Sequence, residues 1–202
     1  MNSTAAILLG LLGASMPAHA QFRTYLGAGG AIPDVGTIVF QIAVPDHLPL
    51  VMENVQLDMV HTWSGDLRMS VVHGAQSVLL VDRLGVPQSG FGNSSDFAGV
   101  YEFRDGFAPL PETRQGEFIP PGVYGPDPSN AMADLNAGLD AFGTWSLVVE
   151  DFAAGDVGTL AVWSVTIRIP APGSVLVLGA GSLFLARMRR REIAACRGTL
   201  HP

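Results

Sequence analysis

The chain has 202 residues, enough for one ordinary domain plus short terminal signals. Its formal charge of −7 is unevenly placed: residues 21–169 hold 6 Arg against 17 Asp and Glu, near −11, while Arg187, Arg189, Arg190, Arg191 and Arg197 crowd the tail. An acidic central region lacks the basic footprint that phosphates require, which argues against nucleic acid and permits calcium.

Residues 1–20 read as a secretory signal. An apolar run from Ala5 to Ala14 is followed by Ala18-His19-Ala20, an Ala-x-Ala cleavage pattern ahead of Gln21, although the only positive charge before it is the α-amino group. The pattern predicts export to the cell envelope or beyond. Strands are then expected at about 37–44, 53–61, 67–73, 77–82, 100–104, 144–151 and 159–168, with helix nearly confined to the ends. Val55, Leu57, Met59 and His61 alternate against Gln56, Asp58 and Val60; Thr62 to Asp66 turn the chain; Leu67, Met69 and Val71 alternate again, which predicts a hairpin. Between Leu84 and Leu135 the density of proline and glycine predicts long surface crossings rather than a second domain.

The stretch 143–167 reads as two strands around an acidic, glycine-bearing turn, each strand carrying one tryptophan. Trp145, Leu147 and Val149 share one face of the first, and Ala161, Trp163, Val165 and Ile167 share one face of the second. Two large aromatics at matching depth predict the centre of a β-sandwich core. Cys196 is the only cysteine and lies in the tail, so no disulfide supports this core.

Beyond it, Pro170-Ala171-Pro172-Gly173 leads into the apolar run 174–186 and then the arginine cluster. A helix over 172–186 would reach only ~22 Å against a ~30 Å hydrocarbon core. Arginine snorkelling and local thinning of the bilayer extend that reach, so membrane contact is expected, with the arginine end cytoplasmic.

Several motifs in order carry a family resemblance. The Ile32-Pro33-Asp34 opening, His61-Thr62 ahead of Gly65-Asp66-Leu67, and Gly143-Thr144-Trp145 with the later Trp163 resemble the P domain that follows the protease domain in proprotein convertases and kexins. Phe103 to Asp105, Gly122 to Pro126 and Leu135 to Gly138 match further stretches of it, and bacterial relatives occur in other secreted proteins. The resemblance spans roughly 24–169 and implies an all-β, jelly-roll-like β-sandwich. Pro170 and Pro172, the apolar run, and Arg187, Arg189, Arg190 and Arg191 resemble the Pro-Glu-Pro sorting signal that exosortases recognise. Here the motif is Pro-Ala-Pro, and the tail runs on past Arg191 to residue 202. The division expected is therefore a signal at 1–20, a P-like sandwich at 21–169, a sorting or transmembrane segment at 170–191 and a tail at 192–202.

In convertases the module supports a neighbouring subtilisin-type domain, and the resemblance therefore implies a protein partner in trans. No such catalytic domain fits in this length, and no Gly-Thr-Ser nucleophile motif occurs. Ser64, His61 and Asp66 crowd one turn, but alternation explains them without a catalytic relay. His61 is expected in the core beside Met59 and Leu57, and His47 and His73 lack zinc spacing. Asp58, Asp66, Asp151 and Asp156 lie in or beside two turns, where bonds to backbone amides and coordination of calcium are both open readings. Two alternatives stand beside the interaction module: proteolysis associated with serine endopeptidases, which the family resemblance implies, and an extracellular polysaccharide bound by Tyr101, Phe103, Phe107, Phe118 and Tyr124.

Overall fold

The computed structural model describes residues 19–86, 90–112, 116–136 and 140–170. Residues 20–170 form one compact unit. Of the signals expected at the two ends, Ala18, Pro172, Arg187, Arg189, Arg190 and Arg191 lie outside the described residues, while Ala20 and Pro170 flank the first and last strands. No helix among the described residues is long and apolar enough to cross a membrane.

Among the described residues ten strands make two sheets: β1 (Gln21–Ile32), β2 (Gly36–Val44), β3 (Met52–His61), β4 (Leu67–His73), β5 (Gln76–Asp82), β6 (Asp96–Phe103), β7 (Phe118–Ile119), β8 (Gly122–Tyr124), β9 (Gly143–Asp151) and β10 (Gly158–Ile169). One sheet runs β1-β10-β3-β6-β7, with β8 also on β6; the other runs β2-β9-β4-β5. The β7 and β8 pairings are parallel, and the others are antiparallel. Strands whose inward faces alternate with polar residues must cover each other, and the two sheets do so around one core. Trp145 and Trp163, both sealed from solvent, lie in that core with Leu57, Met59, Leu67, Met69 and Leu147. The described helix is limited to two 3-10 turns, Ser64–Asp66 and Met132–Asn136.

Two details of strand arrangement differ from the sequence expectation. The segments around residues 62–66 are not a hairpin: β3 belongs to one sheet and β4 to the other, so the short turn arches across the sandwich. Alternation fits both arrangements, because in each the apolar face of both strands turns inward. In β10 the inward position is held by Leu160 and not Ala161, which is exposed. The register against β3 slips between Leu160 and Val162, so Ala161 is the extra residue of a β-bulge and the period of two is broken there.

The strand 21–32 was not among those expected. β1 has only Gly27 and Ile32 buried, so its sequence shows no alternation. It pairs along its length with β10 because Gly27 lets Trp163 lie against the backbone: a Cβ there would stand 2.3 Å from the indole nitrogen.

Four crossings gather at one end of the sandwich: residues 33–35 from β1 to β2, 62–66 from β3 to β4, the described residues 83–86 and 90–95 between β5 and β6, and 152–157 from β9 to β10.

Candidate functional site at the arch end

The four arches are knitted mostly by backbone. Thr62 N donates to Val157 O (3.3 Å), Phe152 N to Asp66 O (3.0 Å), Ser64 N to Ser95 O (2.8 Å) and Gly65 N to Asn93 O (2.9 Å). Gly65 is required by this closeness, since a Cβ would lie 2.6 Å from Asn93 N and Phe91 O. Asp34 of the first arch accepts from Gly155 N of the fourth (3.0 Å). Trp63 takes a left-handed backbone conformation, φ 70°, uncommon for an aromatic residue, and its indole donates to Phe91 O (2.6 Å).

This end brings together three of the four aspartates singled out from the sequence. Asp151, at the end of β9, is buried; its Oδ2 lies 3.1 Å from His61 Nε2, and its Oδ1 accepts from Ala153 N (3.1 Å). Both side chains of the His61–Asp151 pair are fully shielded. His61 Nδ1 has no partner, so the tautomer with its hydrogen on Nε2 fits the site. Ser64 is also buried and donates its hydroxyl to Asn93 O (3.1 Å). The Ser-His-Asp crowd of the sequence is thus divided: the serine serves a loop and the histidine a strand end.

Asp66 is 2% exposed, its Oδ1 has no hydrogen-bond partner, and it faces Asp151. Burial first, then the charges of Asp151 and Asp156, push its carboxyl up to about 6, with Arg83 opposing them. Asp156 is half-buried in the fourth arch. Asp58 is placed elsewhere, on the outward face of its sheet with Val162 and Val100 as register partners. Among the described residues no group of three or more His, Cys, Asp or Glu side chains is arranged to hold a metal ion.

A cavity of about 290 Å³ opens here, lined by Trp63, Asp66, Phe91, Ala153, Ala154 and Asp156. Neither Trp63 nor Phe91 is marked by alternation or by a motif in the sequence. The one available signal is composition: Phe91 stands between Gly90 and Gly92, and Trp63 sits inside a turn where a core aromatic has no place. Of the aromatics offered for a sugar site, Tyr101 and Phe103 are wholly buried and cannot stack on a ligand; Tyr101 pins the loop by donating to Ile119 O (2.7 Å). Phe107 and Phe118 are exposed.

The opposite end has a different character. Asp140 accepts from Leu48 N (3.0 Å) and Phe142 N (2.9 Å) and meets His47 Nδ1 at 2.8 Å. Those contacts, the Phe142 amide foremost, hold its carboxyl below the usual range. Asp46 accepts from Tyr25 Oη (2.7 Å) and Arg23 (3.1 Å), and Tyr25 is pushed up to about 12 by burial and by that carboxylate. His73 stacks on Trp145 at 4.2 Å, with Nε2 2.8 Å from Asp140 O.

No family model matches the chain, and no curated protein matches it. Similar solved structures include the serine protease of Aeromonas sobria, at 18% identity over 79% of this chain and 28% of that one with a TM-score of 0.36. The same protease in complex with its chaperone is similar at 18% identity over 76% and 27%, TM-score 0.37. The chain thus spans little more than a quarter of those chains, and similarity at this level fixes neither family nor activity.

Proposed function

We propose that the chain is an exported, non-catalytic β-sandwich module of the P-domain kind that docks on a protein partner. The strand order β1-β10-β3-β6 facing β2-β9-β4-β5, in which successive strands change sheet except at the β4–β5 hairpin and along β6-β7-β8, is jelly-roll order and supports that reading. The observation that carries it is the state of the reactive groups: His61 and Asp151 are fully enclosed, and Ser64 is bonded to a loop carbonyl. A hydrolytic relay needs a hydroxyl against an imidazole in a reachable cleft, and these groups are engaged in holding arches together. The partner is a protein, such as a subtilisin-type protease in trans. Export and membrane contact follow from the terminal signals, and mass spectrometry of the mature chain is expected to find an N-terminus at Gln21.

The full chain incubated with casein and with a dibasic peptide is expected to release no product. Turnover abolished by a serine-directed inhibitor would overturn the non-catalytic reading.

A further inference from the structure

The arch-end cavity is lined by a carboxylate whose Oδ1 finds no donor among the described residues. Asp66 lines the cavity, is 2% exposed, and its Oδ1 has no partner, although an unpaired buried carboxylate is costly. The neighbouring charged groups are otherwise engaged: Asp34 with Gly155 N, Asp151 with His61 and Ala153 N, and Arg83 with Gly65 O through Nε (3.1 Å). Asp66 thus feels three other acids, Asp151, Asp156 and Asp34, and among the described residues Arg83 is the cation that opposes them there. The remaining walls are aromatic and apolar: Phe91, which is 72% exposed, the half-buried Trp63, and two alanines.

We propose that this cavity binds a cationic side chain, arginine above all, presented by a protein partner, with Asp66 and Asp156 as its charge partners and Trp63 and Phe91 as its aromatic walls. An anion would meet the carboxylates of Asp66 and Asp156, and an apolar group would leave Asp66 as bare as before. A metal ion would find no set of three ligands among the described residues. A guanidinium in the cavity gives the Asp66 carboxylate a donor and a counter-charge and offers a flat face to an aromatic ring. The Trp63 indole is fixed beside the cavity by its bond to Phe91 O, which also ties the backbone that carries the Phe91 ring to the same arch. The inference deepens the docking role proposed above and rests on it.

The three tryptophans supply the assay. In the full chain with 15N-labelled indoles, Trp63 reports on the cavity, while Trp145 and Trp163 report on the core. Titration with acetyl-Gly-Arg-Gly-amide at neutral pH is expected to shift the Trp63 resonance saturably, with a Kd in the millimolar range, and to leave the other two in place. The citrulline peptide, equal in shape but uncharged, should bind about tenfold more weakly or not at all. Asp66→Asn should weaken the arginine peptide by about fivefold or more. Unmoved Trp145 and Trp163 resonances would show that this variant folds, and Asp156→Asn, at a half-buried site, gives a second, milder loss. Affinity should also fall at a pH of about 5, where Asp66 holds a proton that the ligand must displace.

The chain's own arginine cluster is the other source of this chemistry. Affinity that rises when Arg187, Arg189, Arg190 and Arg191 are changed to Gln would make the tail the occupant, and unchanged affinity assigns the side chain to a partner; either supports a cation site. The proposal is overturned by no saturable Trp63 shift in either chain, by equal responses to the arginine and citrulline peptides, by undiminished binding in both aspartate variants, or by calcium chloride shifting Trp63 where the peptide does not. None of these outcomes touches the casein result, so the two failures are distinguishable.

Discussion

The two ends of the sandwich handle their acids in opposite ways. At the far end Asp140 has two backbone amides and His47 as partners, and Asp46 has a tyrosine hydroxyl and a guanidinium. At the arch end, at the other end of the nine-residue β9, Asp66 is enclosed beside two like charges with no donor for its Oδ1. The carboxyls respond accordingly, Asp140 held low by its donors and Asp66 raised by burial and its neighbours. A carboxylate with donors stabilises the loop that supplies them. A buried one without donors destabilises the fold and marks a place where an external donor would be welcome.

Both ends depend on one core, and the largest expected effect tests that. Trp163→Ala should cost roughly 3–5 kcal/mol as a cavity, comparable with the stability of a whole domain, and the melt should stay a single transition. A barely shifted Tm would remove the indoles from the account. Gly27→Ala places a methyl 2.3 Å from the Trp163 indole nitrogen and should cost about 1–3 kcal/mol through overpacking. Chemical denaturation measures it.

Asp66→Asn and Asp140→Ala should then move stability in opposite directions. At neutral pH, Asp66→Asn is expected to stabilise by on the order of 1 kcal/mol once water at the cavity mouth is allowed for. Because the folded carboxyl of Asp66 titrates at about 6, above its ordinary value, the folded chain binds more protons than the unfolded between about pH 4 and 6. Stability therefore falls as pH rises through that window, and Asp66→Asn should flatten the slope there. Asp140→Ala is expected to lower Tm at neutral pH. Its carboxyl titrates below the ordinary value, so its contribution is present above about pH 4 and is lost on further acidification. Melts at several pH values check both; effects of the same sign would end the contrast between the ends.

How much of this was legible depended on whether period and chemistry spoke together. β3, β4 and β9 alternate cleanly, and Trp145, Trp163 and His61 fall inward as alternation required. β1 is an outer strand with seven of its twelve residues exposed and only Gly27 and Ile32 buried, so no alternation marks it. A five-residue turn between alternating strands cannot reveal whether the chain returns beside itself or crosses to the facing sheet, which is why 62–66 read as a hairpin. The aspartates of the two turns were visible in sequence. That Asp66 and Asp151 meet while Asp58 faces outward depends on strands far apart in the chain. Trp63 and Phe91 stayed hidden because their partnership is made by arches closing on one another.

The most direct measurement is the carboxyl titration of Asp66, followed by 13C NMR in the intact chain. A midpoint at about 6 is expected, moving down when the arginine peptide is added. A midpoint at or below the ordinary aspartate value of about 4, unmoved by the peptide, would contradict it.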